Sequence, residues 1–150
     1  MRNMPKLSPR KRVAPSIGII IDSEEITYPA ITAPDFVIAM SQKSCLSYTS
    51  DMAENSVLLT DSSFVNEMPK LAKGVKVYTL PLTDLAIQTT GKSVTANVVA
   101  IGAVSVLFPV FSQESVQEAL SVCFPAKFHA NNQRAFEAGV NAAKDLLDDN

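Results

Sequence analysis

The sequence predicts an α/β fold with three layers, a mostly parallel sheet carrying helices on both faces, and a helical last third. Two observations carry this prediction. Four short apolar runs, at residues 16–22, 35–40, 56–60 and 75–80, are separated by segments of helix length, the spacing of parallel strands joined by crossovers. Beyond Leu80 the apolar residues recur at helical intervals instead, which marks a change from strand to helix.

The first run, SIGIIID at 16–22, is continuous and β-branched, as in a strand covered on both faces. Asp22-Ser23-Glu24-Glu25 reads as a turn and Ile26 to Tyr28 as a short returning strand, while Pro29 and Pro34 exclude a helix interior nearby. DFVIAM at 35–40 is the second strand, and Ser41 is placed to cap a short helix over 42–50. SVLLT at 56–60 is the third strand and ends in Asp61-Ser62-Ser63. Lys73-Gly74 turns the chain into the fourth strand, VKVYTL at 75–80. Pro81 then opens a helix with Thr83 and Asp84 in or near its first turn.

The stretch 93–107 is apolar almost all round, which predicts a helix buried on more than one side. Gly102 within it is placed to permit close packing. Val116, Ala119, Leu120, Cys123 and Phe124 share one face of a further helix, with Ser115 and Glu118 at capping-box spacing. Phe136, Val140, Ala143 and Leu147 form the apolar stripe of a last helix, whose other face carries Glu, Lys and Asp. The organisation expected is a basic arm over 1–15 and one domain over 16–150.

Composition narrows the function classes. With 47% hydrophobic and 19% charged residues in 150, the chain has material for a core and is not a disordered segment. A net charge of −2 supplies no global field for nucleic acid or anionic membrane. Arg2, Lys6, Arg10, Lys11 and Arg12, broken by Pro5 and Pro9, form a basic start with no signal-peptide core behind it. The most apolar stretch, 96–111, contains Asn97, Ser105 and Pro109 and is shorter than the roughly 20 residues a bilayer span needs. Two distant cysteines, Cys45 and Cys123, make neither a disulfide framework nor a zinc site, and a cytoplasmic location is expected.

Catalytic constellations are sparse. His129 has no Cys, His or Asp at metal-ligand spacing and reads as a helix-entry or surface histidine. Cys123 lies on an apolar stripe and reads as a small core residue. Cys45 lies on a short helix near Ser41 and Gln42, and no Cys–His pair can be argued for it. Neither G-x-x-x-x-G-K-[ST] nor G-x-G-x-x-G occurs among the five glycines. What remains is positional, because ligands of open α/β sheets sit beyond the carboxyl ends of the strands. Those ends are Ser41-Gln42, Asp61-Ser62-Ser63 and Pro81-Leu82-Thr83, groups able to hydrogen-bond but weak as acids or bases.

Read in order, the strand-end segments carry a resemblance. They are Ser23-Glu24-Glu25-Ile26 with Pro29, Pro34-Asp35-Phe36-Val37-Ile38-Ala39-Met40-Ser41-Gln42, and Leu58-Leu59-Thr60-Asp61-Ser62-Ser63. Pro81 with Ala86, Ala96-Asn97-Val98-Val99-Ala100-Ile101-Gly102-Ala103, and Asn131 or Asn132 with Ala135 and Ala138-Gly139 follow. From about residue 16 to 144 this ordered set resembles the gamma subunit, or gamma domain, of the 2-oxoacid:ferredoxin (acceptor) oxidoreductases. Family members open with a strand, a G-x-G-G-Q-G turn and a helix, then a Tyr-Gly-Pro-Glu-x-Arg-Gly-Gly-like segment. Here the first is missing, and Ser8-Pro9-Arg10-Lys11-Arg12 stands about where the second would be, with Lys11 or Arg12 in place of its arginine. The chain therefore reads as a member lacking that opening unit or as a short form, with apolar surface and a strand edge for a partner to cover.

The resemblance implies a subunit of a multi-chain enzyme that oxidatively decarboxylates a 2-oxoacid to acyl-coenzyme A and CO2, with 2-oxoglutarate slightly favoured. Thiamine diphosphate, iron–sulfur clusters and coenzyme A belong to the complex, and no cofactor is expected on this chain alone. The sequence has neither a Gly-Asp-Gly…Asn-Asn thiamine motif nor C-x2-C-x2-C. The implied partners are alpha, beta and possibly delta chains, with ferredoxin reached through the complex and no nucleic acid or membrane. Ser41, Gln42, Ser62, Ser63 and Asn97 are the candidate ligand- or interface-binding groups, with no catalytic residue and no metal ligand. Two other readings stand beside it: a free-standing module for a coenzyme A- or nucleotide-like ligand, and a protein or RNA adaptor acting through the basic arm.

Overall fold

A computed structural model of the chain describes residues 16–27 and 30–149. Three parallel strands, β1 (Phe36–Ala39), β2 (Val57–Asp61) and β3 (Lys76–Leu80), pair in the order β1-β2-β3. The register sets Ile38, Leu59 and Tyr78 in one row and Ala39, Thr60 and Thr79 in the next. Side chains alternate across a strand, so neighbours in β2 serve opposite layers. Leu59 packs with Leu80, Leu82, Val99 and Phe136, whereas Leu58 packs with Ala39, Cys45, Met52 and Val65.

Those two clusters are the two sides of a three-layer fold, as expected. The smaller side is covered by helix α1 (Gln42–Tyr48) and by the irregular crossover between β2 and β3, which contributes Val65 and Leu71. The larger side carries α2 (Leu82–Thr90), α3 (Ala96–Leu107) and α5 (His129–Asp148). Short 3-10 turns at Ser93–Thr95 and Ala126–Phe128 lead into α3 and α5. Helix α4 (Gln113–Cys123) lies at the margin, with no buried residue of its own.

Each start has a local cause. Ser41 caps α1, its Oγ accepting from the Ser44 N–H at 3.1 Å. Gly91 ends α2 with φ at 74°, where its N–H reaches the Ile87 carbonyl, the left-handed closure that glycine makes without strain. In α3 the small residue Gly102 lies against the backbone of Phe136, and in α5 Gly139 lies against that of Val99. The two helices thus touch main chain to main chain, the close packing that Gly102 predicted.

Four expectations need correction. Residues 16–22 form no strand: they belong to no regular element, and Ile17, Ile19 and Ile21 are exposed. A β-branched run records what a strand prefers, but a strand exists only where a neighbour pairs with it, and no described strand does so. Ile26 and Thr27 are likewise unpaired, while Tyr28 lies outside the described residues. The α4 cap is Ser112, accepting from Ser115 N–H at 3.1 Å, and not the Ser115–Glu118 box. Cys123 and Leu147 are exposed, not core: α4 buries none of its residues, and the buried stripe of α5 ends at Ala143. The predicted basic arm, 1–15, lies outside the described residues.

Candidate functional site

The carboxyl ends of β1 and β2 bring four of the five predicted residues to one edge of the sheet: Ser41 and Gln42 after β1, Ser62 and Ser63 after β2. What each does there differs from its sequence reading. Ser41 spends its oxygen on the α1 cap and its hydroxyl proton on Ser44 Oγ, 2.9 Å away. Gln42 is engaged three times with the crossover that follows β2. Its Oε1 accepts from the N–H groups of Asn66 (2.8 Å) and Glu67 (2.9 Å), and its Nε2 donates to the Glu67 carbonyl at 2.8 Å. One side chain therefore supplies the hydrogen bonds that a paired strand would give this irregular segment.

Ser63 also works within the fold, its Oγ accepting from the Asp84 N–H at 3.3 Å. Ser62 differs: its N–H continues the ladder to the Leu80 carbonyl at 2.9 Å, and its side chain is exposed. The fifth residue, Asn97, is not part of this edge. It sits in the first turn of α3 and is exposed, its Oδ1 accepting from the Val98 N–H at 2.9 Å. Helix α2 leaves the edge at Leu82 and runs nine residues, about 13 Å at helical rise, before the chain turns towards Asn97.

Asp61, which the sequence offered only as part of a polar cluster, is the residue that organises the edge. It is fully buried. Its Oδ1 accepts from the Ser63 N–H at 3.0 Å, and its Oδ2 accepts from Thr83 N–H (3.2 Å) and Thr83 Oγ1 (2.6 Å). Pro81 at the cap of α2 offers no capping side chain, so the first-turn N–H groups of Thr83 and Asp84 are met by Asp61 at the end of β2 and by Ser63 just beyond it. The clue was present: a helix entered through Pro81, without Ser, Thr, Asp or Asn at its cap, must be capped from elsewhere. This also occupies the helix N-terminus that would otherwise be the natural seat for a phosphate.

The remaining chemistry is muted. Cys45 is buried, with burial pushing its thiol above the ordinary value of 9.0, and its Sγ lies 4.0 Å from Met68 Sδ. A buried, apolar thiol of this kind is inert. His129 opens α5 and its Nε2 lies 2.7 Å from the Phe124 carbonyl, the helix-entry role expected of it. Among the described residues no three of His, Cys, Asp and Glu are grouped to hold a metal. Nor is any described helix long and apolar enough to cross a membrane.

The edge carries few reactive groups, so the family has to be read from comparison. The profile described as pyruvate ferredoxin/flavodoxin oxidoreductase matches residues 3–142. The chain belongs to that family. It is 31% identical over 130 residues to the 2-oxoglutarate synthase subunit KorC of Methanocaldococcus jannaschii, covering 85% of this chain and 68% of KorC. Over 88 residues, 55% of this chain and 43% of the relative, it is 40% identical to the indolepyruvate oxidoreductase subunit IorB of Thermococcus kodakarensis.

Its fold is that of the keto/oxoacid ferredoxin oxidoreductase gamma subunit from Geobacter sulfurreducens PCA. The TM-score is 0.69 and the identity 31%, over 73% of this chain and 63% of that one. The chain thus spans roughly two thirds of the length of KorC and of the gamma subunit. The 2-oxoglutarate:ferredoxin oxidoreductase of Magnetococcus marinus, solved with 2-oxoglutarate, coenzyme A and succinyl-CoA bound, shares the fold. There the TM-score is 0.64 and the identity 24%, over 73% of this chain and 20% of that one. The resemblance read from the strand ends was therefore a family resemblance in fact.

Proposed function

We propose that this chain is the gamma component of a 2-oxoacid:ferredoxin oxidoreductase, taking 2-oxoglutarate as its substrate. It acts as one domain over 16–150 that contributes assembly and the approach of substrate or coenzyme A, while the bond-breaking groups reside on other chains. The observation that carries this reading is the likeness to KorC over 130 residues at 31% identity. The muted edge agrees with it: Asp61, Ser63, Ser41 and Gln42 are used up holding the fold. Ser62 and Asn97, both exposed, are the groups left to meet a neighbour.

The partners in this reading are alpha, beta and delta-type chains, which would hold thiamine diphosphate and the iron–sulfur clusters and pass electrons to ferredoxin in the cytoplasm. Apolar side chains in the open, Ile17, Ile19, Val94 and Val122, suit a protein that works inside a larger assembly. The test is anaerobic affinity capture of the full chain from its own organism, followed by mass spectrometry, a visible spectrum and an assay of coenzyme A-dependent oxidation. Larger co-purifying chains, broad absorbance in the visible and turnover of 2-oxoglutarate in preference to pyruvate are expected. A colourless eluate containing this chain alone would overturn the proposal.

A further inference from the structure

We propose that residues 66–70, in the crossover from β2 to β3, are a strap latched by Gln42, and that withdrawing the Gln42 amide lifts the strap off the buried Cys45 thiol. This device belongs to the fold and does not rest on the proposed activity. Val65 is buried in the small cluster at one end of the strap, and Leu71 packs on the same cluster at the other. Between these anchors Asn66, Glu67, Met68 and Lys70 are exposed. Among the described residues no main-chain group of 66–71 is hydrogen-bonded to another main-chain group. What the strap has instead is Gln42, whose Oε1 accepts from Asn66 and Glu67 N–H and whose Nε2 donates to the Glu67 carbonyl.

A segment with few buried contacts, tied by solvent-facing hydrogen bonds, opens at less cost than the whole domain. Here the ties converge on one side chain, so its departure breaks all three together. Gln42 is only half-buried and stands at the strand-end edge, where a polar group of a ligand or neighbour can compete for its amide. Whatever engages that amide only when the strap is free favours the free state. Cys45 lies three residues further along α1, on the side of the helix that carries Gln42. It exposes none of its surface, and its Sγ lies 4.0 Å from Met68 Sδ. Met68, 43% exposed, is the strap's part of that cover. Lifting 66–70 takes Met68 away while Ala39, Met52, Leu58 and Val65 stay packed. Occupancy of the strand-end edge is thereby coupled to access to a thiol that is inert while the latch is closed.

Thiol labelling of the full-length chain tests the latch, in a Cys123→Ser background so that the exposed thiol does not contribute. With Gln42 in place, Cys45 reacts with an aromatic disulfide reagent only through unfolding, and the rate climbs steeply with urea. Gln42→Ala is expected to raise the rate without urea by about tenfold or more, since three hydrogen bonds are lost at once. That faster rate should stay flat at low urea, the mark of an opening that exposes little surface. Gln42→Met separates the bonds from the bulk: it keeps a side chain of similar length beside the strap and makes none of the three bonds, and it should label as fast as Gln42→Ala. Labelling of both variants at the wild-type rate would overturn the inference. So would a faster rate that keeps the steep urea dependence, which would mean that the strap opens only with the domain. Protection by methionine equal to that by glutamine would overturn it as well, since the cover would then be bulk and not a latch.

Discussion

Replacing Gly139 by alanine is the sharpest probe of how α3 and α5 are joined. A Cβ built at Gly139 would stand 1.9 Å from the Val99 carbonyl oxygen, 2.8 Å from its carbon and 2.9 Å from the Ala103 nitrogen. All three atoms are main chain in a packed helix, so no side-chain rotation relieves the contact. Ordinary contact begins at 3.4 Å, so the helices must part by about 3.4 − 1.9 = 1.5 Å along that line. The separation would loosen Phe136, Val140 and Val99, all within the larger core. Overpacking a core costs about 1–3 kcal/mol and more when backbone must move. Alanine in a helix interior returns about 1 kcal/mol over glycine.

The net expectation is a loss of about 2 kcal/mol, a fall in melting temperature of roughly 4–8 °C for a chain of this size. Thermal unfolding followed by far-UV circular dichroism measures it. An unchanged or raised melting temperature would refute the reasoning, since helix propensity alone predicts stabilisation. Gly102→Ala, whose Cβ would meet the Phe136 oxygen at 2.2 Å, should act likewise. The double variant should cost less than the sum, because one opening relieves both contacts.

Removing the Asp61 carboxyl with Asp61→Ala strips three hydrogen bonds and the cap of α2, and should lower the urea unfolding free energy by about 2–4 kcal/mol. Gln42→Ala should change global stability by no more than about 1 kcal/mol, yet speed hydrogen exchange of the Asn66 and Glu67 amides well above that of β2 amides. Cys123, exposed, should react with a thiol reagent in the native protein, and Cys45 only on unfolding. Because burial raises the Cys45 thiol above 9.0 in the folded state, the unfolded chain loses that proton first. Its stability contribution is complete below about pH 9 and declines as the pH climbs through the folded value. A Cys45→Ala variant should lose that alkaline slope, as urea titrations at pH 7 and 10 would show.

Much of this architecture was legible because it is written in local chemistry. Residues 36–39, 57–61 and 76–80 are strands where apolar runs sit between Ser, Asp, Gly and Pro, and Pro81 opens α2 as proline does. What escaped depends on partners distant in the chain. Nothing within residues 16–22 says whether a neighbouring strand exists, and the partner of Asp61 Oδ2, Thr83, is 22 residues on. Helical spacing in α4 marks which face is apolar but not what covers it, so Cys123 was misplaced. That Ser41, Gln42, Ser62 and Ser63 share one edge of the sheet was legible. Its division of labour was not, since a Gln that hydrogen-bonds a ligand and one that ties down a loop look alike in sequence.

Helix α5 packs on α2, on α3 and on α4, and this gives the protein a schedule during its synthesis. Leu59 and Leu80 wait for Phe136, Val140 and Ala143 before their side of the sheet closes. From Leu80 to Ala143 the ribosome must add 143 − 80 = 63 residues, which takes roughly 3–13 s at about 5–20 residues per second. Through that interval the nascent chain offers a three-stranded apolar face to whatever is nearby. The opposite cluster around Leu58 and Cys45 draws on residues up to Val75 and can form while translation continues. The small side of this protein is thus cotranslational in character, and its large side is settled only as α5 arrives.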